Sequence, residues 1–556
     1  MVRSRPSLQS VVNKYDTKED PSILENLIRA FRKIQQLPPD HPDSFFTIAG
    51  YHGEPFVSED PTNDNWWGGF CQHRTVLFPT WHRAYVLRIE SALRNAMPEA
   101  DISLPFWDEC LTYGSSDNPI PWVLTAPKFP LLDGDDSNPL YSYTLQQDIA
   151  DNHTTVDAKR YSKPAGYTTV RYPLSGLVGN EVDKQETDVQ NAKYPDPVAN
   201  AQILNNNVKA WLDGTVQIEP DGSPDSVIPD TFSAYSRYRI SLDAPNYTVF
   251  SNKASMAQWI TDNDEKPHYG VALEEGHNAL HLSLGGFYQY NDYNADPIRG
   301  ANGDMGENET SAFDPIFYFH HAFVDYVFWT WQRRHSKTAR GSLTIDKRIN
   351  GEDYDGTKSS GNPVFPNDTK LDMQSPLAPF INPVTHKPFT SEEITDIENI
   401  DGGLGYVYEP GSFDNIVDAV TGAGQLEKAT PPLVTVAHVS NISRADHAGS
   451  FVIRTTVELD DGKEVEIGRE AVLSRWHVSG CGNCRNNLQE HSFVAIDDKL
   501  LKALGLSEED LKTPGRLKTS INARPDVAGE HKPKRVTGGD GEGDEVRQRV
   551  PKIEFL

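Results

Sequence analysis

The sequence predicts a mainly α-helical domain with long loops, followed by a small C-terminal β domain. Apolar residues recur at helical spacing in four separate segments before residue 335, whereas from Leu433 onward apolar and polar residues alternate as they do in strands. Residues 411–432 contain Gly, Ala and Thr and end in Thr-Pro-Pro, which is typical of a linker. A chain of 556 residues is too long for one ordinary core. We therefore expect several units, with boundaries at 1–408, 409–432, 433–520 and 521–556.

The first two helical segments have clear ends. Residues 23–34 carry apolar side chains at helical spacing, and Pro38-Pro39 stops this helix. A second amphipathic helix is predicted from Trp81 to Ala96, ending before Pro98. Residues 110–250 are rich in Pro, Gly, Asn, Asp and Tyr, which predicts long loops with short elements.

The other two helical segments contain histidines among apolar residues. One is YGVALEEGHNALHLSLGG, and the other is SAFDPIFYFHHAFVDYVFWTWQRRH, in which Asp314-Pro315 is a favourable helix start. In the β domain, Asp461-Gly462 separates two alternating runs and predicts a hairpin turn. The final unit, 521–556, is expected to be disordered for most of its length.

Composition and charge exclude several classes of protein. The chain has 52 basic and 80 acidic side chains and a formal net charge of −28, so its surface repels phosphates. Nucleic acid and anionic membranes are therefore poor partners, and no run approaches the ~18 apolar residues that a membrane span needs. The N-terminal residues lack the apolar core of a secretory signal, and four cysteines do not make a disulfide framework. We expect a cytoplasmic protein in a reducing setting.

The histidines in apolar segments point to a metal. His277 and His281 stand four residues apart on a helical pattern, so both rings face the same side and could reach one ion. Such a pair alone is more often solvated or hydrogen-bonded than ligated, and HNALH lacks the glutamate of the HExxH zinc motif. The pair His320-His321 is costly to bury unless its nitrogens are satisfied, which favours ligation.

Considered together, the histidines fall into two sets of three. The first set is His52, His73 and His82. The second set is His277, His281 and His321. Neutral imidazole suits copper, zinc, iron and nickel. Two all-histidine sites without a carboxylate or thiolate ligand favour copper over iron or magnesium.

Several long motifs identify a family resemblance. They are YHGEPF, WWGGFCQHRTVLFPTWHRAY, LPFWDE, LEEGHNALH, GDMGENETSAFDPIFYFHHAFVDYVFWTWQ, GYVYEP and SRWHVSGCGNCRNNL. With these motifs the chain resembles the tyrosinases, which are type-3 (dinuclear) copper proteins, and among them the fungal pro-tyrosinases of the Aspergillus kind. The resemblance covers residues from about 20 to about 500. It implies a four-helix bundle around a dinuclear copper site, with O2 as co-substrate.

The resemblance implies roles for both histidine sets. The first set matches the ligands of one copper (copper A), and the second set matches those of the other (copper B). Within the double histidine the second residue matches the ligand, so His320 is expected to contact the site without binding copper. The resemblance also implies a thioether bond between Cys71 and His73, which would hold a ligand that lies on a loop. The alternative is that Cys71 is a buried apolar residue.

The resemblance implies hydroxylation of monophenols at the ortho position and oxidation of o-diphenols to o-quinones. Glu274 and Asn278 match residues that hold a water able to take the phenol proton, and a carboxylate near two cations should stay ionised. The alternative for Glu274 is an acid on the helix surface. Phe317 could pack over the metal pocket. Three acids are candidates for orienting ligand histidines: Asp108, Asp314 and Asp325.

The β domain matches a domain that covers the copper site until the linker is cut. We therefore expect a latent enzyme that is activated by proteolysis within 409–432. A side chain from Val472-Leu473 or from Phe451 is expected at the active-site entrance. The segment GDMGENETS leads into the fourth helical segment and is expected to form part of that entrance.

Two cysteines of the β domain form a C-x-x-C motif, Cys481 and Cys484. The motif matches a copper-loading site, and two thiolates suit Cu(I). A disulfide, a redox role or a structural role are the alternatives, and a structural zinc site lacks further cysteine ligands. His477 and His491 lie nearby and could assist.

Several functions stay open at this point. The same coppers could serve a catechol oxidase or an o-aminophenol oxidase without hydroxylase activity, and haemocyanin-like oxygen carriers share this centre. Asn278 with Glu274 favours the tyrosinase, and a removable C-terminal domain argues against the carrier. Expected partners are small phenols, an activating protease and a copper chaperone, and the chain could form a homo-oligomer.

Overall fold

The structure is a computed structural model. It describes residues 2–53, 69–131, 134–150, 161–214, 232–262, 268–288, 298–359, 361, 364–417, 433–475, 488–524 and 550–556. Within these ranges a helical domain packs against a C-terminal domain that contains two three-stranded sheets. No helix of the described ranges combines the length and the apolar composition needed to span a bilayer.

The α-helices differ widely in length. In the helical domain they are α1 (Leu8–Asp16), α2 (Ser22–Gln36), α3 (Phe45–Gly50), α4 (Phe78–Ala96), α5 (Glu181–Asn191), α6 (Pro197–Asp213), α7 (Ala234–Ser241), α8 (Tyr247–Ser251), α9 (Lys253–Thr261), α10 (Leu273–Gly285), α11 (Ile316–Arg334) and α12 (Asp414–Val417). In the C-terminal domain they are α13 (Asp498–Leu504) and α14 (Glu508–Leu511).

The strands form small sheets in both domains. The helical domain has β1 (Arg3–Arg5), β2 (Pro376–Ile381), β3 (Pro388–Thr390) and β4 (Tyr406–Tyr408). The C-terminal domain has β5 (Thr435–Ser443), β6 (Ala448–Glu458), β7 (Glu464–Val472), β8 (Gln489–Ile496), β9 (Leu517–Arg524) and β10 (Lys552–Phe555). β1 pairs with β4 in parallel, β2 pairs with β3 antiparallel, and the larger sheets have the orders β10-β5-β8 and β7-β6-β9.

Three long helices, α4, α10 and α11, form the centre of the helical domain, and α2 packs against α4 to complete the expected bundle. Nearly every side chain of α10 and α11 is buried. α4 begins at Phe78 rather than at the predicted Trp81, because Pro79 fits the first turn, where no backbone N–H is required. α11 begins after Asp314-Pro315, as predicted, and the Asp314 carboxylate accepts the Ile316 N–H at 3.1 Å.

Residues 110–250 contain more helix than the sequence predicted, because α5 to α8 lie there. The side chain of Asn180 caps α5 by accepting the Asp183 N–H at 2.9 Å. α6 begins with Asp196-Pro197, a favourable cap and first residue, and Asp196 accepts the Val198 N–H at 2.9 Å. The polar composition of this region therefore belongs partly to capped, half-exposed helices.

The C-terminal domain contains the predicted hairpin. β6 and β7 pair antiparallel across Asp461-Gly462, where Gly462 has a φ of +83° that glycine adopts without strain. The structure differs from the predicted disordered unit at both of its ends, since β9 continues to Arg524 and β10 pairs with β5. Ile553 and Phe555 of β10 pack against the apolar core of the domain. Residues 525–549 lie outside the described ranges.

The beginning of the predicted linker belongs to the helical domain. Asp108 accepts the Ser412 N–H at 2.9 Å, and Arg333 pairs with Asp414 of α12 at 2.6 Å. These contacts hold Ser412 and Asp414, within the predicted linker, against the helical domain. Residues 418–432 lie outside the described part of the chain.

A buried ionic cluster joins β1 and β4 to α4 and α11. Arg83 Nε lies 2.5 Å from a carboxylate oxygen of Asp325, and Tyr406 donates its hydroxyl to the same carboxylate at 2.9 Å. Arg5 of β1 pairs with Glu90 of α4 at 2.6 Å. The expectation that Asp325 orients a ligand histidine is wrong, because Arg83 and Tyr406 occupy its carboxylate.

Replacing Asp325 with alanine should lower the free energy of unfolding by about 3–5 kcal/mol, because the change leaves the buried Arg83 guanidinium without its carboxylate. Denaturant-induced unfolding of the full-length protein measures this loss. Glu19→Ala, at an exposed position, is the control and should change stability by less than about 0.5 kcal/mol. Equal stabilities of the two variants would show that the cluster contributes nothing.

Candidate metal centre

The structure brings together all six histidines that the sequence singled out. One set lies on α4 and on the segment between α3 and α4: His52, His73 and His82. The other set lies on α10 and α11: His277, His281 and His321. His73 is half-buried, and the other five side chains are almost completely inaccessible to solvent.

The two sets face each other across a narrow space. In the first set, the ring centroid of His73 lies 5.3 Å from that of His52 and 5.2 Å from that of His82. In the second set, the ring centroids of His277 and His321 are 4.9 Å apart. Between the sets, the rings of His82 and His321 are 4.6 Å apart and nearly parallel. These distances are short enough for two neighbouring ions to share one pocket.

Backbone carbonyls orient three of the rings. His52 and His281 donate their Nδ1–H groups to the backbone oxygens of Asn308 and Met305, at 3.0 and 2.8 Å. His82 donates in the same way to the carbonyl one turn earlier in α4, at 2.8 Å. These bonds leave Nε2 as the unprotonated nitrogen of each ring. Because GDMGENETS contains Met305 and Asn308, this segment holds rings of both histidine sets.

Side chains hold two further rings. His277 Nδ1 lies 3.0 Å from the Asn278 side-chain oxygen, and His320 Nδ1 lies 2.5 Å from a carboxylate oxygen of Glu109. Glu109 is buried, and burial raises its pKa well above the usual range. Sequence reasoning missed this residue, although it belongs to the motif LPFWDE.

Asp108 and Asp314 have partners other than the ligand histidines. Asp108 accepts hydrogen bonds from the backbone N–H and the hydroxyl of Ser412, and Asp314 pairs with Arg171 at 2.6 Å. The expectation that these acids orient the rings is therefore wrong. Carbonyl oxygens take that role instead, and because every residue has one, no sequence signal marks them.

The ring nitrogens directed into the pocket fit a metal. Among the described residues, the Nε2 atoms of four of the six histidines have no hydrogen-bond partner, those of His52, His73, His82 and His277, and the Nε2 atom of His320 also has none. The other two, those of His281 and His321, lie 3.4 Å apart. Burial lowers the pKa of all six rings, to about 3 for His82, so their lone pairs are unprotonated. Buried acceptors without donors cost free energy, whereas neutral imidazole binds copper well.

Four histidines of α10 and α11, rather than three, lie close enough to share an ion. One nitrogen from each of His277, His281, His320 and His321 lies within 4.8 Å of the others. His320 donates to Glu109 from Nδ1, and a carboxylate in that position is common behind metal-bound histidines. Distance alone therefore does not separate His320 from His321, and the assignment of His321 as the ligand stays a prediction.

Phe317 packs between the two histidine sets. Its ring centroid lies 4.0 Å from that of His321 and 4.9 Å from that of His52. As expected, this buried ring covers one side of the pocket, where it keeps water from the histidine nitrogens.

A cavity of about 30 Å³ lies beside His73, with Glu274 and Asn278 in its wall. This volume is enough for a water molecule. The Glu274 side chain is 2% exposed, so Glu274 is not an acid on the helix surface. Its carboxylate accepts hydrogen bonds from the backbone N–H groups of Arg74 and Lys253, at 3.0 and 3.1 Å. Burial raises the pKa of Glu274, and the Arg74 cation opposes that rise.

The C-terminal domain closes this cavity. Val472 and Leu473, at the end of β7, line it together with His73. Phe451 lies instead inside the C-terminal domain, opposite Val472 in the β6–β7 pair and 4.6 Å from the His447 ring. Of the two segments expected at the entrance, the structure therefore places only Val472-Leu473 there.

The predicted thioether and the predicted copper-loading site involve different cysteines. Cys71 is buried, and its sulfur lies within 4.8 Å of a ring nitrogen of His52 and of His73. Burial raises the pKa of this thiol to about 11.

His491, predicted to assist the copper-loading site, lies on β8, with Nδ1 2.9 Å from Nε2 of His438. Three predicted copper-loading residues lie outside the described ranges: His477, Cys481 and Cys484.

Comparisons with known proteins agree with this geometry. Residues 42–334 match the family model of the common central domain of tyrosinase. A tyrosinase of Hahella sp. (strain CCB-MM4), HcTyr2, is 43% identical over 511 residues, which cover 89% of this chain and 88% of the relative. A tyrosinase of Aspergillus oryzae is 38% identical over 518 residues, which cover 88% of each chain. The solved structure of a tyrosinase from Burkholderia thailandensis at low pH covers both chains completely, with 36% identity and a TM-score of 0.75.

The matched region contains both histidine sets and the helices that carry them. It spans more than half of the chain, and the two relatives extend the similarity over most of the remainder. The resemblance predicted from the sequence motifs is thus confirmed. The chain belongs to the tyrosinase family, and it is a copper-dependent oxidoreductase with a dinuclear (type-3) copper cofactor.

Proposed function

We propose that the protein is a latent tyrosinase, which uses O2 to hydroxylate monophenols at the ortho position and to oxidise o-diphenols to o-quinones. One observation carries the proposal: the cavity beside His73 has Glu274 and Asn278 in its wall and is closed by Val472 and Leu473 of another domain. A proton acceptor at this position suits phenol hydroxylation, and a cover from a separate domain suits latency.

In this proposal the first histidine set holds copper A and the second set holds copper B. The bound copper pair would supply the binding and activation of O2 and the exchange of electrons with the phenol. The protein orients the rings through Asn278 and the carbonyl oxygens of Asn308 and Met305. Phe317 excludes water between the sets, which strengthens the electrostatic interactions inside the pocket.

Glu274 and Asn278 hold a water that takes the phenol proton. Two backbone N–H groups fix the carboxylate of Glu274 at the cavity wall. Burial raises the pKa of Glu274, and the Arg74 and Lys253 cations oppose that rise; in its charged form the carboxylate can accept a hydrogen bond from the water. The cavity has room for the water between the carboxylate and an incoming phenol.

Latency would follow from the position of Val472 and Leu473, which line the cavity beside His73 and leave it only about 30 Å³, too little for a phenol. Cleavage within 418–432, followed by release of the C-terminal domain, would remove both side chains. The activating protease is therefore a proposed partner.

Several further proposals rest on the sequence resemblance. A thioether between Cys71 and His73 would replace the S–H bond and a ring C–H bond by one S–C bond, with O2 as the oxidant that accepts the two hydrogen atoms. Cys481 and Cys484 would load copper with the help of a chaperone. We also propose a cytoplasmic location and small phenols as substrates, and a homo-oligomer is compatible with these proposals.

The alternative is a catechol oxidase or an o-aminophenol oxidase without hydroxylase activity. One observation favours it: both carboxylate oxygens of Glu274 already accept a backbone N–H, and such bonds stabilise the charged form of a carboxylate. A carboxylate held in this way is a weaker base. The contrast between monophenol and diphenol substrates decides between the two functions.

Copper content should identify the third ligand of copper B. We expect His321→Gln to retain one copper ion per chain and His320→Gln to retain two, because only His321 is proposed as a ligand. Atomic absorption after dialysis measures the content. His386→Asn is the control, because His386 is exposed and has a φ of +55° that asparagine tolerates. If His320→Gln retained one copper ion and His321→Gln retained two, His320 would be the ligand.

Oxygen uptake should appear only after the C-terminal domain is removed. Copper-loaded protein is assayed with L-tyrosine and L-dopa, before and after limited proteolysis within 418–432 and separation of the fragments. We expect uptake with both substrates in the trimmed sample alone. Uptake with L-dopa only would establish the diphenol oxidase, and equal uptake in both samples would contradict latency.

Replacing Glu274 with glutamine in the trimmed enzyme should lower kcat for L-tyrosine about 100-fold and kcat for L-dopa less than about tenfold. The difference arises because the proposed water must take the proton of the monophenol before hydroxylation. Glu181→Gln, exposed on α5, is the control. Equal losses of kcat with the two substrates would mean that Glu274 supports the structure of the site and does not take part in proton transfer from the monophenol.

A further inference from the structure

We propose that the trimmed protein selects phenols that carry a carboxylate, which Arg74 and Lys253 bind. In the latent protein, Glu490 of the C-terminal domain occupies the place of that carboxylate. This inference rests on the proposed function and adds a substrate class to it.

Glu490 is held by both cations, one on each carboxylate oxygen. Arg74 Nη1 lies 2.5 Å from Glu490 Oε1, and Lys253 Nζ lies 3.4 Å from Glu490 Oε2. Arg74 also donates from Nη2 to the backbone oxygen of Gln489 at 3.0 Å. A guanidinium and an ammonium that converge on one carboxylate form a strong recognition element for a free carboxylate as well.

Arg74 and Lys253 lie beside the proposed copper centre. Arg74 and Lys253 line the cavity of about 30 Å³ together with His73 and Asn278. They also line a second cavity, of about 350 Å³, between α9 and β8, and Glu490 borders both spaces. A phenol whose hydroxyl approaches the histidines would therefore place the substituent on its ring near these cations.

Removal of the C-terminal domain leaves these cations without their carboxylates. Lys253 Nζ also lies 2.5 Å from Glu470, so within the described residues all ion pairs of Arg74 and Lys253 are made with Glu470 or Glu490. Arg237 differs, because it pairs with Glu470 and also with Glu275 of α10, at 2.6 Å, and so keeps a partner. After trimming, the carboxylates of Glu274 and Glu275 stay near these two cations but form no ion pair with them among the described residues, so the cations would form a local site for an anion.

Both cations are anchored independently of the C-terminal domain. Their backbone N–H groups bind the two oxygens of the buried Glu274. Arg74 is held at a φ of +61°, which is uncommon for a residue other than glycine, and Asn252 caps α9 directly before Lys253. We therefore expect both side chains to stay near the cavity after trimming.

The electrostatic environment favours an ionised carboxylate at this position. Burial alone would raise the pKa of Glu490, but Arg74, Lys253 and Arg444 together lower it to about 2. Arg444 belongs to the C-terminal domain and leaves with it. The remaining two cations would still favour the charged form of a bound carboxylate.

The test compares two catechols that differ in one charge, 3-(3,4-dihydroxyphenyl)propionate and its methyl ester, so that hydroxylation is not required. We expect Lys253→Gln in the trimmed enzyme to lower the ratio of kcat/KM for the acid to kcat/KM for the ester about tenfold. Lys253→Arg should restore the ratio to within about threefold. In the unsubstituted enzyme the ratio should fall as ionic strength rises. Lys184→Gln, exposed on α5, should leave the ratio unchanged.

A second variant covers the case in which Lys253→Gln does not fold. Arg74→Asn removes the other cation, and asparagine tolerates the φ of +61°, so the same fall in the ratio is expected. An unchanged ratio, or equal losses on acid and ester, would overturn the inference and leave the oxidase function standing. If the trimmed, copper-loaded protein oxidised neither catechol, the proposed function would fail, and the inference with it.

Discussion

Burial of unprotonated histidine nitrogens is the constraint on which the rest of this structure depends. Four rings, those of His52, His82, His277 and His320, have Nδ1 bonded to an oxygen of the protein, and their Nε2 atoms have no hydrogen-bond partner among the described residues. Without a metal this arrangement costs free energy, so copper binding and folding of the pocket are coupled. α4, α10 and α11 supply the rigidity that such a pocket requires, and Phe317 fills the space between the two sets.

The segment GDMGENETS, before α11, contacts both the histidine rings and the C-terminal domain. Its carbonyl oxygens at Met305 and Asn308 orient one ring of each histidine set. The same segment accepts a hydrogen bond from Ser450 of the C-terminal domain at Gly306, at 2.9 Å, and its Glu309 pairs with Arg475 at 2.5 Å. The C-terminal domain thus contacts the structure that orients the rings as well as the cavity above them.

The cover is held by charge as well as by apolar packing. Val472 and Leu473 line the cavity, whereas Glu490 neutralises cations that belong to the helical domain. Buried ion pairs of this kind contribute little net stability compared with apolar contacts, but breaking them leaves charges that need a new partner. In the proposed latent enzyme, cleavage would release this interface and leave Arg74 and Lys253 beside the metal centre.

The sequence by itself determined the helices with strong apolar periodicity, the two histidine sets and the family, because these depend on local spacing and on long motifs. It did not reveal α5 to α8 or β10, since capped polar helices and short edge strands have the composition of loops. Only the tertiary structure decided which atoms orient the rings, with Glu109 in place of Asp108 and carbonyl oxygens in place of acids. It alone brought Glu490 to Lys253, because residues far apart in the chain meet only through the packing of whole domains.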